Sequence, residues 1–171
     1  MPDDRIMKTV TLNAPVSRVW RALTDARQFE QWFQVELEGQ FTQGKAIKAR
    51  FTGTFDQAAI AQLQRKAGLA PSAIRVPDSS STFCSVQCIE PERYFSFRWI
   101  PYGIDAEIDL QNEPTTLVEF LLEPVASGTQ LTITESGFDQ VPLHRRERAF
   151  LMNEGGWATQ AENVKRYVEQ G

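Results

Sequence analysis

The one histidine, His144, is the first place to look for proton chemistry. It stands in Pro142-Leu143-His144-Arg145-Arg146, where a general base would need an orienting partner, and none is apparent. It reads as a solvated residue at the entry of a helix. Arg145, Arg146 and Arg148 crowd the same stretch, either as a solvated basic face or as a contact for an acidic partner. If Cys84 and Cys88 lie on a strand they share a face, about 13 Å apart at ~3.3 Å per residue. A disulfide needs Cα atoms within about 7 Å. With a single histidine in the chain a Cys/His zinc site is not expected either, and both cysteines read as packing residues. There is no glycine-rich phosphate loop and no nucleophile elbow. The sequence assigns no catalytic residue, no metal ligand and no cofactor.

What remains is a set of aromatic rings with a few charged residues among them. The chain has eleven Phe and four Trp. Trp32, Phe33, Phe51, Phe97, Trp99, Phe120 and Trp157 come from five separate elements. Brought together, they either fill a plain core or line a pocket for a flat or greasy small molecule. Arg98 and Glu135 lie on strands rich in apolar residues. Facing inward, either would orient a ligand's polar end, or the two would pair; facing outward, they are simply solvated. Glu119 reads the same way. No spacing of carboxylates demands an acid–base pair.

Such side chains need elements to carry them. Residues 5–12 alternate as a first strand. Asn13-Ala14-Pro15 then opens a helix, with Pro15 suited to the first helical position. Val16, Val19, Trp20 and Leu23 form one apolar stripe. Thr24-Asp25 recaps the chain into a second short helix with Phe29, Trp32 and Phe33 on one side. The period then changes to two. Strands are expected over 35–41 and 47–55, the latter with Ile47, Ala49, Phe51, Gly53 and Phe55 on one face. A hairpin over 83–90 and 93–100 turns at Pro91-Glu92, and strands 116–124 and 129–138 are joined by Ala126-Ser127-Gly128. The last segment, about 146–170, is helical, with Trp157, Ala161, Val164 and Val168 on one stripe. Gly155-Gly156 within it suggests a kink, a break or close approach to the sheet.

The order is strand, two short helices, about six strands, long helix, which is an α+β arrangement. A sheet with one dry face needs a cover, and the C-terminal helix is the element long enough to supply it. Residues 56–82 stand apart, with a short helix at Ala58–Ala67 stopped by Gly68, then Pro71, Pro77 and the Ser79-Ser80-Ser81 run. They read as an insertion: a surface excursion, or a lid or dimer contact.

Bulk properties bound the function class. The chain has 171 residues, about one domain, 42% apolar and 23% charged. A net charge of −4 argues against a nucleic-acid partner. No apolar run approaches the roughly 20 residues that span a bilayer, so no integral membrane segment is expected. Met1-Pro2-Asp3-Asp4-Arg5 does not have the form of a secretory signal, and cytoplasmic residence is the default expectation.

Several motifs carry a family likeness. Ala14-Pro15, Val19-Trp20, Leu23-Thr24-Asp25 and Trp32-Phe33 resemble the opening of the helix-grip (SRPBCC) superfamily of START-like and pollen-allergen-like proteins. Phe97-Arg98-Trp99, Pro101-Tyr102, Thr116-Leu117-Val118-Glu119-Phe120, Gly128-Thr129 and Leu131-Thr132 follow in order. Glu135-Ser136-Gly137-Phe138 and Asn153 with Gly155-Gly156-Trp157 complete the set. Together they resemble bacterial members of the branch named after the activator of the ninety-kilodalton heat-shock protein ATPase. Two departures stand out: the long 56–82 segment, and Ile100 where many bacterial relatives carry a His. The resemblance implies a single helix-grip domain over 1–171, a curved antiparallel sheet of six or seven strands wrapped around the C-terminal helix. It also implies non-enzymatic binding of a small hydrophobic or aromatic molecule, lipids included, between sheet and helix. The alternatives are a protein-interaction module regulating a chaperone ATPase, and an enzyme acting on an aromatic or polyketide-like substrate. A monomer and a homodimer both fit.

Overall fold

The computed structural model describes residues 5–76, 81–109 and 112–170. Its elements are β1 (Arg5–Leu12), α1 (Val16–Thr24), α2 (Ala26–Phe33), β2 (Val35–Leu37), β3 (Ala46–Phe51), α3 (Gln57–Lys66), β4 (Thr82–Glu90), β5 (Tyr94–Trp99), β6 (Thr116–Val125), β7 (Gly128–Ser136), a 3-10 turn (Phe138–Gln140) and α4 (Leu143–Glu169). The seven strands form one sheet in the order β1-β7-β6-β5-β4-β3-β2. Every pairing is antiparallel, and the open sheet curves around α4, which is the α+β helix-grip fold. β1 and β2 are the two edges, so α1 and α2 carry the chain from one side of the sheet to the other.

Local chemistry sets the boundaries. Pro15 caps α1 from outside rather than opening it, since its carbonyl accepts from Arg18 and Val19. Asp25 ends α1 and starts α2, its carboxylate accepting from the Arg27 N–H at 2.9 Å. The β6–β7 turn closes on Gly128 at φ +148°, where an added Cβ would lie 2.2 Å from the Leu12 carbonyl oxygen. Only glycine allows β1 to run that close.

Alternation then sorts the faces. Along β6, Thr116, Val118, Phe120 and Leu122 are buried; along β7, Leu131, Ile133 and Glu135 face the same interior. Trp157, Ala161, Val164 and Val168 of α4 are all buried against that face, as the helical stripe requires. The 27 residues of α4 run without a break through Gly155-Gly156. Both glycines are exposed, and a Cβ on either would meet nothing within 4 Å. The expected kink, break or close approach to the sheet is therefore corrected: the backbone faces open space there.

Two strands are shorter than the alternation suggests. β2 ends at Leu37, ahead of a turn at Gly39 with φ +98°. β3 ends at Phe51, and at Gly53 the chain passes so close to Gln34 that an added Cβ would lie 2.6 Å from its side-chain oxygen. The insertion contains α3 as expected, capped by Asp56 on the Ala59 N–H and released at Gly68. Pro77, Ser79 and Ser80 lie outside the described residues, as do Met1 to Asp4. Among the described residues, no helix is long and apolar enough to cross a membrane, and no three His, Cys, Asp or Glu side chains are grouped as metal ligands would be.

Candidate functional site

A cavity of about 560 Å³ opens between α4, strands β3 to β5 and the loop following β5. That volume is ordinary for a small-molecule site. Phe33, Phe51, Phe83, Trp99 and Trp157 form its aromatic wall. Ile100, Tyr102, Ile104 and Ile108 complete one rim, and Asn153, Gly156 and Gln160 present the face of α4.

The wall is fixed by one carboxylate. Glu135, on the inner face of β7, is fully buried. It accepts from the Trp99 indole N–H at 2.8 Å, the Trp157 indole N–H at 2.8 Å and the Thr116 hydroxyl at 2.6 Å. The Asn153 amide donates to both of its oxygens, at 3.0 and 3.1 Å. Four donor groups thus meet the roughly four acceptor positions a carboxylate offers. No cation lies among these partners. Burial pushes the Glu135 carboxyl above the usual carboxylate range, and the hydrogen bonds from Thr116, Trp99, Trp157 and Asn153 offset this only in part. The consequence is geometric. The two indoles stack at 5.5 Å with an interplanar angle of 29°, both N–H groups turned to Glu135 and their ring faces left to the neighbouring rings and the cavity.

The expected site residues divide into three groups. Phe33, Phe51, Trp99 and Trp157 line the cavity, and Glu135 braces it from behind. Trp32, Phe97 and Phe120 are buried in the filled core instead. Trp32 donates to the Ala22 carbonyl at 2.8 Å, which turns its ring toward α1, while Phe97 and Phe120 pack behind Trp99 and Trp157 at 5.5 and 5.9 Å. Arg98 is a correction. Strand alternation puts it opposite Phe97 and Trp99, exposed, where its guanidinium donates to Thr115. It neither pairs with Glu135 nor meets the cavity. Glu119 also faces away, accepting from the Tyr94 hydroxyl at 2.5 Å.

Sequence reasoning missed the rim. The insertion is anchored through Gln64, which is fully buried; it donates to the Tyr102 hydroxyl at 3.4 Å and accepts from the Ser72 N–H at 3.0 Å. Ile74 bridges Asp105, and the Arg75 N–H donates to the Ile104 carbonyl at 2.6 Å. The segment therefore joins the loop after β5, and Phe55, Arg75, Ser81 and Thr82 line the cavity. The arginine cluster is a second correction. Arg145 is fully buried, paired with Glu113 and Asp105 and donating to the Pro101 carbonyl at 2.8 Å. Arg148, also buried, pairs with Asp105 at 3.1 Å and Glu107 at 3.0 Å. These are clamps holding the loop after β5 to α4, not a solvated face. Four acidic residues at 105–113 were the available signal, since buried guanidinium groups require partners. His144 is exposed, as its surroundings in the sequence suggest.

Comparison with known proteins agrees with this architecture. The family model described as Activator of Hsp90 ATPase homolog 1-like protein matches residues 13–169, and the chain belongs to that family. No curated protein matches it. Among solved structures, protein MLL2253 from Mesorhizobium loti superimposes with a TM-score of 0.66 at 18% identity, covering 97% of both chains. DynU16, a putative protein in the dynemicin biosynthetic locus, gives 0.62 at 25% identity over 98% of this chain and 48% of that one. CalU16 from Micromonospora echinospora gives 0.57 at 19% identity over 96% of this chain and 74% of that one.

Proposed function

We propose that this member of the Activator of Hsp90 ATPase homolog 1-like family binds a small hydrophobic or aromatic molecule in the cavity between α4 and the sheet. The observation that carries the reading is the ring-lined space of about 560 Å³, held open by the Glu135 hydrogen-bond hub. Stacked indoles and phenyl edges offer a flat ligand its best contacts. Family members of this fold often hold hydrophobic ligands, which supports the same reading.

Simple binding is favoured over acid–base chemistry by the state of Glu135. It is held by Trp99, Trp157, Thr116 and Asn153 behind the indoles and is not among the residues lining the cavity, so it does not face a bound molecule. It acts as a brace. The test is a thermal-shift and tryptophan-quenching screen against aromatic and aliphatic probes. Saturable quenching with stabilisation supports the reading; no stabiliser across the panel contradicts it.

A second reading, regulation of a chaperone ATPase, draws its support from the family description alone. An ATPase assay with the host's own chaperone tests it, and an unchanged rate at high protein excess counts against it.

A further inference from the structure

The cavity is apolar in its walls but not in its charge. Among the described lining residues, Arg75 is the one that carries a charge at neutral pH. It lies where the insertion meets the loop after β5, and it is exposed, so it sits at the opening rather than in the depths. Its guanidinium has no ion pair or side-chain hydrogen bond with any described residue.

The carboxylates of the adjoining loop have other partners. Asp105, Glu107 and Glu113 all stand on the loop that Arg75 touches through its backbone. Each is taken by an arginine of α4: Asp105 by Arg145 and Arg148, Glu107 by Arg148, Glu113 by Arg145. Asp105, Glu107 and Glu113 are thus tied down on the α4 side, and among the described residues none of the three pairs with Arg75. Nor does Glu135 compensate it, since that carboxylate lies behind the indoles and is not part of the lining.

We propose that the ligand is an anionic amphiphile, a hydrophobic or aromatic body carrying a carboxylate or similar acid, with its charged end on Arg75 and its rings among Trp99, Trp157, Phe33 and Phe51. The inference rests on the binding reading above and adds the charge and the orientation. Planar guanidinium suits a carboxylate through paired N–H donors. The aromatic wall takes the apolar body, and the acid stays near water, where its desolvation cost is small.

The test uses naphthoate and its neutral carboxamide, which differ in charge and little in shape. Both are titrated against the intact chain by tryptophan quenching, with wild type and Arg75→Gln side by side. In wild type the carboxylate is expected to bind about fivefold more tightly than the amide, an exposed charge pair being modest in strength. Arg75→Gln removes that advantage and leaves amide binding within about twofold, which also shows the variant folded. Added salt weakens the carboxylate and not the amide. Equal binding of the two probes in wild type, unmoved by Arg75→Gln, overturns the charge assignment and leaves the cavity reading standing. Failure of both probes to bind wild type up to their solubility overturns the two together.

Discussion

Two aromatic clusters lie in contact in this molecule and end differently. Phe29, Phe41, Phe95, Phe97 and Phe120 pack ring to ring and leave no exposed surface beyond a trace at Phe41. Phe33, Phe51, Phe83, Trp99 and Trp157 are similar in size and packed at similar distances, yet they enclose space. The difference does not lie in hydrophobicity. The first cluster is phenylalanine throughout and answers only to packing. The second contains two indoles whose N–H groups must be satisfied, and both are pulled to Glu135. Rings held by hydrogen bonds do not collapse freely into a void. Opposite them, Gly156 contributes no side chain to fill it.

The largest expected effect breaks the hub. Glu135→Ala leaves two indole N–H groups, a hydroxyl and an amide without their acceptor, and should cost about 3–5 kcal/mol in urea unfolding. Phe95→Ala, in the filled cluster, should cost a similar amount, about 3–5 kcal/mol, with no specific loss of probe binding if the variant folds. Phe51→Ala sharpens the contrast. The ring is only half-buried and borders an existing space, so the stability cost should be about 1 kcal/mol while probe affinity falls.

Gly156→Leu should act in the opposite sense. Removing a helical glycine stabilises by up to about 1 kcal/mol, and the new side chain has open space to enter. Tm should rise slightly and probe binding should disappear. Gly155→Ala is the companion: a similar rise, with binding kept, since Gly155 does not line the cavity.

The pH dependence is smaller but has a definite sign. The folded-state carboxyl of Glu135 is raised above its unfolded value. Its contribution to stability is therefore fully present below the unfolded value, near 4.5, and is lost as pH rises through the folded value. Relative to Glu135→Gln, wild type should lose stability between those two values and then level off, as measured by urea midpoints at stepped pH. A parallel pair of curves would contradict the burial account. Smallest of all, Arg98→Ala should change stability by no more than about 0.5 kcal/mol and leave probe binding alone.

Much of the frame was legible in the sequence, and the reasons are periodicities. Trp157, Ala161, Val164 and Val168 announce which face of α4 is buried, and Phe95, Phe97 and Trp99 which face of β5 turns inward. The same alternation, applied strictly, already places Arg98 outside. The site was legible only in part. Glu135 as a brace depends on Trp99, Thr116, Asn153 and Trp157 converging from separate elements, and no local pattern encodes that convergence. Arg145 and Arg148 look like surface residues in a basic run until the loop bearing Asp105, Glu107 and Glu113 is folded over them. The rim from the insertion was hidden for the same reason, since Gln64 and Tyr102 are thirty-eight positions apart.

Whether the ring-lined hollow admits a ligand is decided by one titration. Wild type and Gly156→Leu are titrated with the neutral naphthalene carboxamide, following tryptophan fluorescence, after both are shown to unfold cooperatively. Saturable quenching is expected in wild type and none in Gly156→Leu, whose Tm is equal or higher. Equal quenching in the two proteins would place the probe elsewhere, and no quenching in wild type would mean that the ring-lined space takes no such ligand.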